Sequence, residues 1–145
     1  MSSDQLIGVW RLLSAEFHTS DSKILYPWGK NATGLIVYSA GGYVAAQIMN
    51  PDRPHFVSRD NLKGTPAETK IAFDGYQAYF GTFEVDEKEK TVIHKIQGNL
   101  FPNAVGVVLK RFYEFSGNDR LTLSTPPMSM GGERITGTLV WERVK

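Results

Sequence analysis

Turn signals recur at short intervals along this chain of 145 residues, and this spacing most constrains its fold. The runs between the turns are rich in β-branched and aromatic residues, which favour strands. Short strands separated by frequent turns are typical of antiparallel sandwiches and barrels. Strands are predicted at residues 8–18, 34–38, 43–49, 81–85, 91–99, 105–115, 121–124 and 135–144, with a further candidate near Ile24.

Composition narrows the function classes. The length fits a single domain, expected to span residues 1–145. Sixteen basic and 15 acidic residues leave a charge of +1, which gives no electrostatic footprint for nucleic acid or an anionic membrane. The chain has no cysteine, so thiol nucleophiles and thiolate metal sites are excluded. No secretion signal and no long apolar stretch is visible, and we expect a cytoplasmic protein that meets neither nucleic acid nor membrane.

One segment departs from the strand pattern. Thr65 reads as a helix N-cap, Pro66 as the first helical residue and Glu68 as the partner in a capping box. Ala72, Phe73, Tyr76 and Phe80 follow at helical spacing. The expected fold is therefore all-β, a closed antiparallel up-and-down barrel of eight to ten strands. One short helix around residues 66–78 is expected to close one end of it.

The two ends of the chain carry a recognisable pattern. A G-x-W begins at Gly8 with Trp10 as its aromatic, and a late arginine, Arg143, ends the last strand. With this G-x-W and this late arginine, the chain resembles a family of small stand-alone lipocalin-like domain proteins. The resemblance covers nearly the full chain and rests further on residues 26–29, 42–47, 51–54, 73–76, 79–82, 101–103, 121–125 and 137–141.

The resemblance implies a lipocalin-like β-barrel in which Trp10 plugs one end and the late arginine packs over it. It also implies a small apolar ligand, and some members resemble accessory proteins of natural-product pathways. The more distant fatty-acid-binding barrels hold a carboxylate with an arginine two residues before an aromatic on the last strand. Leu139 and Trp141 occupy those positions here, so that clamp is not carried over.

Strand alternation identifies candidate polar residues inside the barrel. If Trp10 points inward, Glu16 lies on the same face. On the strand from Thr91, the two polar residues Lys95 and Gln97 mark the solvent face and place His94 inside. The charges of Lys110 and Glu114 likewise place Arg111 and Tyr113 inside. The candidate catalytic residues are therefore His94, Arg111, Glu16 and Tyr113.

The candidate ligand-binding residues are mostly aromatic or aliphatic. The faces of the strand at residues 43–49 are left open by its pattern, and a slip of one residue would invert any of these assignments. The predicted ligand-binding set is Trp10, Tyr43, Gln47, Tyr79, Phe83, Ile96, Tyr113, Leu139 and Trp141.

Three interpretations of the polar residues stay open. In the simplest one, Glu16 and Arg111 form an internal salt bridge, because an unpaired buried charge is too costly to keep. In the second, Arg111, Tyr113 or His94 orients a ligand. In the third, His94 or Glu16 transfers protons.

These interpretations lead to different functions. The first function is a binding module for a small apolar or aromatic molecule. The alternative is a cofactor-independent isomerase or cyclase. A homodimer through exposed apolar residues such as Phe112 or Ile93 is compatible with either.

No cofactor and no metal is expected, since the three histidines lack metal-ligand spacing. The Met-bearing loop at 126–132 is a plain connection or a gate to the cavity.

Overall fold

The computed structural model describes residues 2–145, with the side chains of residues 4–145. Its helices are α1 (Ser2–Leu6) and α2 (Pro66–Asp74), with a 3-10 turn at Pro102–Ala104. Its strands are β1 (Gly8–Thr19), β2 (Ile24–Leu25), β3 (Thr33–Tyr38), β4 (Tyr43–Met49), β5 (Tyr76–Asp86), β6 (Thr91–Asn99), β7 (Val108–Ser116), β8 (Arg120–Ser124), β9 (Met128–Met130) and β10 (Glu133–Arg143).

The strands form a closed antiparallel barrel of eight strands, as the sequence predicts. Strands β3 to β8 follow one another around the wall, and β1 pairs with β10 to close it. Toward its end, β1 leaves β3 and pairs with the short β2, while the start of β10 pairs with the short β9. The β1–β10 ribbon therefore extends past the rest of the barrel at one end, where β2 and β9 flank it.

The interior is filled by the inward face of each strand. Alternation along β3, β4, β6 and β8 gives a buried residue at every second position over most of their length. The largest fully buried side chains are Trp10, Trp141 and Tyr38. Full burial of a large apolar side chain contributes roughly 1.5–3 kcal/mol, so this inner face supplies most of the drive to fold.

Trp10 and Arg143 close one end of the barrel, as the resemblance implies. The Trp10 indole is fully buried and donates from Nε1 to the carbonyl oxygen of Leu6 at 2.8 Å. The Arg143 guanidinium lies 4.2 Å from the centre of the Trp10 ring. Gly8 has φ +140°, and a Cβ there would lie 2.9 Å from Arg143 Nη1. The glycine of G-x-W therefore leaves room for the arginine that covers the tryptophan.

Helix α2 begins as predicted and ends earlier than predicted. The capping box is present, since Glu68 N–H donates to Thr65 Oγ1 at 3.1 Å and Thr65 N–H donates to Glu68 Oε1 at 2.9 Å. The helix ends at Asp74, with Gly75 as its C-cap. Tyr76 already belongs to β5, so the prediction of a helix to about residue 78 is wrong.

The helix was also expected to close one end of the barrel, and this expectation is not met. Of the nine residues in α2, all of them described, none is buried. None lines the interior cavity described below. The helix contacts the neighbouring β5 but contributes no side chain to the core or to the cavity wall, so it does not plug the interior.

Candidate functional site

A cavity lies inside the barrel, toward the end opposite Trp10. A water-sized molecule can occupy about 70 Å³ of it. Most of its wall is apolar, formed by residues such as Phe17, Trp28, Leu123, Met128, Met130 and Leu139. The polar residues on its wall are Gln77, Tyr79, His94, Arg111 and Thr125. One buried water needs at least roughly 10–15 Å³ of such space, so this cavity can hold several waters.

His94 connects two tyrosines across the interior. It is fully buried on β6, at the inward position that alternation predicts. Its Nε2 lies 2.7 Å from the hydroxyl of Tyr38 on β3, and its Nδ1 lies 3.0 Å from the hydroxyl of Tyr79 on β5. Phe83 packs edge-on against Tyr38, with ring centres 4.9 Å apart. Three strands thus fix the imidazole in place.

The surroundings keep His94 neutral. Burial, and then the positive charge of Arg111, lower the pKa of His94 from 6.5 to about 3. Burial also raises the pKa of Tyr38 and of Tyr79 above the ordinary value of a phenol. At neutral pH the three groups are an uncharged imidazole and two uncharged phenols.

Burial also decides the direction of the hydrogen bonds. A neutral imidazole has one donor and one acceptor nitrogen. Within the described residues the Tyr38 hydroxyl has no partner except His94. If Tyr38 accepted from Nε2, its own O–H would stay buried and unpaired at a cost of about 1–3 kcal/mol. Tyr38 therefore donates to Nε2, Nδ1 donates to the Tyr79 oxygen, and the Tyr79 O–H is left to donate into the cavity that Tyr79 lines.

Arg111 brings a positive charge to the same cavity. It lies on β7 at the inward position that the sequence predicts, and it is half-buried. Its Nη1 donates to the carbonyl oxygen of Lys110 at 3.0 Å. No carboxylate in the described part of the chain lies within salt-bridge distance of its guanidinium.

Trp141 contributes a further donor. Its side chain on β10 lines the cavity and is 1% exposed. Its Nε1–H is buried and, among the described residues, finds no hydrogen-bond acceptor. A buried donor without an acceptor is unfavourable, so an acceptor reaching this nitrogen would be stabilised.

The end of the cavity opposite Trp10 is aromatic and thioether-rich. The rings of Phe17 and Trp28 meet edge-on with centres 5.7 Å apart. Phe17 lies across Gly137 of β10, where a Cβ would stand 2.5 Å from the ring. Met128 and Met130 lie on β9, a strand that the sequence did not predict, and both line the cavity. The flexible methionine side chains give this end of the cavity an adaptable wall.

The predicted site residues divide into those that line the cavity and those that do not. Tyr79, His94, Arg111, Leu139 and Trp141 line the cavity. The other inward residues pack in the interior beside it without lining it, and they are Trp10, Phe83, Ile96 and Tyr113.

The predicted inward position of Glu16 is wrong. A β-bulge in β1 between Leu12 and Ser14 inserts one extra residue against β10. Beyond it the inward residues are Ala15 and Phe17. Glu16 therefore faces outward with its side chain 40% exposed, 3.8 Å from Nε2 of His18. The internal salt bridge between Glu16 and Arg111 does not form.

The predicted interior positions of Tyr43 and Gln47 are also wrong. Val44, Ala46 and Ile48 are the buried residues of β4, so the alternate positions face outward. Tyr43 is 57% exposed, and Gln47 is exposed as well. Gln47 accepts a hydrogen bond from the Tyr76 hydroxyl on the outer surface.

The predicted site residues do not include Tyr38, Phe17 and Trp28. Tyr38 lies two residues after the buried Ile36, so alternation along β3 could have placed it inside. Phe17 could not be found in this way, because the bulge reverses the alternation of β1. Trp28 lies in a loop between strands and carries no periodic signal.

The described residues show neither a cluster of metal-ligating side chains nor a membrane-spanning helix. Within residues 2–145 no three histidine, aspartate or glutamate side chains gather as they would around a metal ion. No helix in the described part of the chain is long and apolar enough to cross a membrane.

Comparison with known proteins identifies the type of domain. The family model of the lipocalin-like domain matches residues 7–144. No curated protein matches the chain. A solved structure of a redesigned β-barrel matches with 12% sequence identity and a TM-score of 0.47, covering 99% of this chain and 95% of that chain.

Proposed function

We propose that this chain, which belongs to the lipocalin-like domain family, binds a small apolar or aromatic molecule inside its barrel. The resemblance seen in the sequence extends this proposal to an accessory role in natural-product metabolism. The observation that carries the proposal is the interior cavity with its mainly apolar wall. Small-molecule sites are mostly apolar concavities with a few convergent polar groups.

The size of the cavity limits the ligand. Sites for drug-sized ligands measure roughly 300–1,000 Å³, well above the space open here. An engineered cavity that binds benzene measures about 150 Å³, so even a single ring needs side chains to move here. Met128 and Met130 line the cavity on the three-residue strand β9, and they are the side chains we propose to move. This supports the gate interpretation of the loop that carries them.

The experiment uses a metabolite extract of the source organism. Sub-stoichiometric purified protein is incubated with the extract, which is then followed by mass spectrometry. Depletion of a species up to one equivalent, with no product, is the result expected of a binding protein. The Leu139→Trp variant should abolish this depletion, because the larger side chain fills the cavity. The Leu35→Trp variant, at an exposed position on β3, is the matched control and should still deplete the species.

The alternative function, a cofactor-independent isomerase or cyclase, has one supporting observation. Arg111 and the Tyr79 hydroxyl face one cavity and could stabilise negative charge that develops on a substrate. His94 is poorly suited as a base, since its pKa is about 3 and both ring nitrogens are engaged. Conversion of a species beyond one equivalent in the same incubation would favour the enzyme over the carrier.

A homodimer is a separate proposal, compatible with both functions. Phe112 on the outer face of β7 is 42% exposed, with Lys110 Nζ 5.5 Å from its ring centre. Light scattering of the wild type and of Phe112→Ser tests whether this face joins two copies. A monomeric mass for the wild type would rule it out.

A further inference from the structure

We infer that the cavity selects ligands that carry an oxyanion, such as a carboxylate or a phenolate, on a small aromatic or apolar body. This inference rests on the proposed function, because it requires that a small molecule enters the barrel. The oxyanion would meet the guanidinium of Arg111 and the hydroxyl of Tyr79.

The charge balance of the cavity is the first argument. Arg111 is the cationic group on the wall, and no carboxylate lines the cavity in the described residues. His94 lies beside it as a neutral group. A positive charge in a partly dry site is unfavourable until a negative group approaches it. A ligand with one negative charge would neutralise the site, whereas a cationic ligand would be repelled.

The donor balance is the second argument. The Tyr79 hydroxyl receives a hydrogen bond from His94, which leaves its own O–H free to donate. Trp141 Nε1–H is buried with no acceptor among the described residues. Thr125 Oγ1 already accepts from the backbone N–H of Gly137 at 2.8 Å. The Gln77 amide on the same wall brings two N–H donors with its one carbonyl acceptor. Donors therefore still outnumber acceptors on the wall, and a ligand rich in acceptor oxygens completes the set.

The tyrosine–histidine chain strengthens one of these donors. The buried Tyr38 donates to His94, and His94 donates to Tyr79. Hydrogen bonds in series polarise one another, so the Tyr79 O–H becomes a better donor than an isolated phenol. This gives His94 a positioning role, since it acts on the ligand through Tyr79.

The rest of the wall selects the body of the ligand. Phe17 and Trp28 present aromatic surface, and Met128 and Met130 present flexible thioethers. A flat ring that carries an oxyanion satisfies both the apolar wall and the donors. A phosphate without an apolar body would satisfy only the donors.

The test compares two probes of nearly equal shape, 2-naphthoate and its neutral amide 2-naphthamide, by isothermal titration calorimetry at neutral pH. Charge-assisted hydrogen bonds are the stronger class, so we expect naphthoate to bind roughly tenfold more tightly or better. Arg111→Met should remove this preference while changing amide binding by no more than about twofold. Arg120→Met, at an exposed arginine on β8, is the matched control and should preserve the preference.

Each outcome separates this inference from the proposed function. Equal binding of the two probes to the wild type, unchanged in Arg111→Met, would overturn the oxyanion inference and leave the binding function standing. Failure of both probes to bind would overturn the binding function for aromatic ligands. The comparison of the two probes on the wild type stands even if Arg111→Met does not fold. Tyr79→Phe then gives a second variant, expected to weaken naphthoate about threefold or more and the amide less.

Discussion

Replacing Arg143 with alanine tests whether one guanidinium holds the closed end of the barrel together. Its three nitrogen atoms donate to the carbonyl oxygens of Gln5 at 2.7 Å, Asn118 at 2.9 Å and Ile7 at 3.0 Å. The same group lies 4.2 Å from the centre of the Trp10 ring. Alanine removes all four interactions at once and leaves the carbonyl groups to find water.

The expected loss follows from these contacts. A hydrogen bond from a charged donor contributes about 1.5 kcal/mol at the lower end of its range, which applies because this end of the barrel is partly exposed. Stacking of the cation on the indole adds about 0.5–1 kcal/mol. Rehydration of the freed carbonyl groups recovers part of the sum. A net loss of about 3–4 kcal/mol remains, which lowers Tm by roughly 10 °C for a domain of this size.

The assay is a urea titration followed by tryptophan fluorescence, with Arg120→Ala as the control. Arg120 Nη2 lies 3.8 Å from Glu142 Oε2 in a half-exposed pair, which contributes at most about 1 kcal/mol. Arg143→Lys should fall between the wild type and the alanine variant, because lysine keeps the charge and loses the planar fork. If Arg143→Ala loses no more than Arg120→Ala, the closed end does not depend on the guanidinium.

Three further predictions concern the interior of the barrel and the outward position of Glu16. Gly137→Ala should push the Phe17 ring into the cavity and weaken 2-naphthoate binding about tenfold by calorimetry; unchanged affinity would contradict this position of the ring. The unfolded chain protonates His94 near pH 6.5 and the folded protein only near pH 3, so stability should fall as pH drops between these values. The slope reaches ~1.4 kcal/mol per pH unit, and urea titrations of His94→Asn should show a shallower slope; equal slopes would refute the shifted pKa. Glu16→Gln should leave naphthoate binding within about twofold, because the side chain lies outside; a tenfold loss would contradict that.

The fold was predictable from sequence because its signals are local. The turns, the strand alternation and the capping box at Thr65 each depend on a few neighbouring residues. The end of α2 was not predictable, because Tyr76 and Phe80 continue the helical spacing although they belong to β5. Pairing of this segment with β4 and β6 decides its structure, and the sequence pattern does not record that pairing.

The candidate site was predictable where alternation is unbroken. His94 and Arg111 were placed correctly because charged neighbours mark the outer face of β6 and β7. Glu16 was misplaced because one extra residue at the bulge reverses every later position on β1, and nothing in the sequence identifies the bulge. Tyr43 was misplaced because β4 has no charged residue to mark either face.

The β1–β10 closure has a consequence for the kinetics of folding. Trp10 pairs with Arg143, so the barrel closes only when strands from opposite ends of the chain meet. Such sequence separation raises contact order and slows folding. Because Arg143 Nη2 reaches the Gln5 carbonyl at 2.7 Å, a short peptide could join the two ends. A circular permutant opened at the exposed Val57 would make this pairing local, and it should fold faster while forming the same barrel.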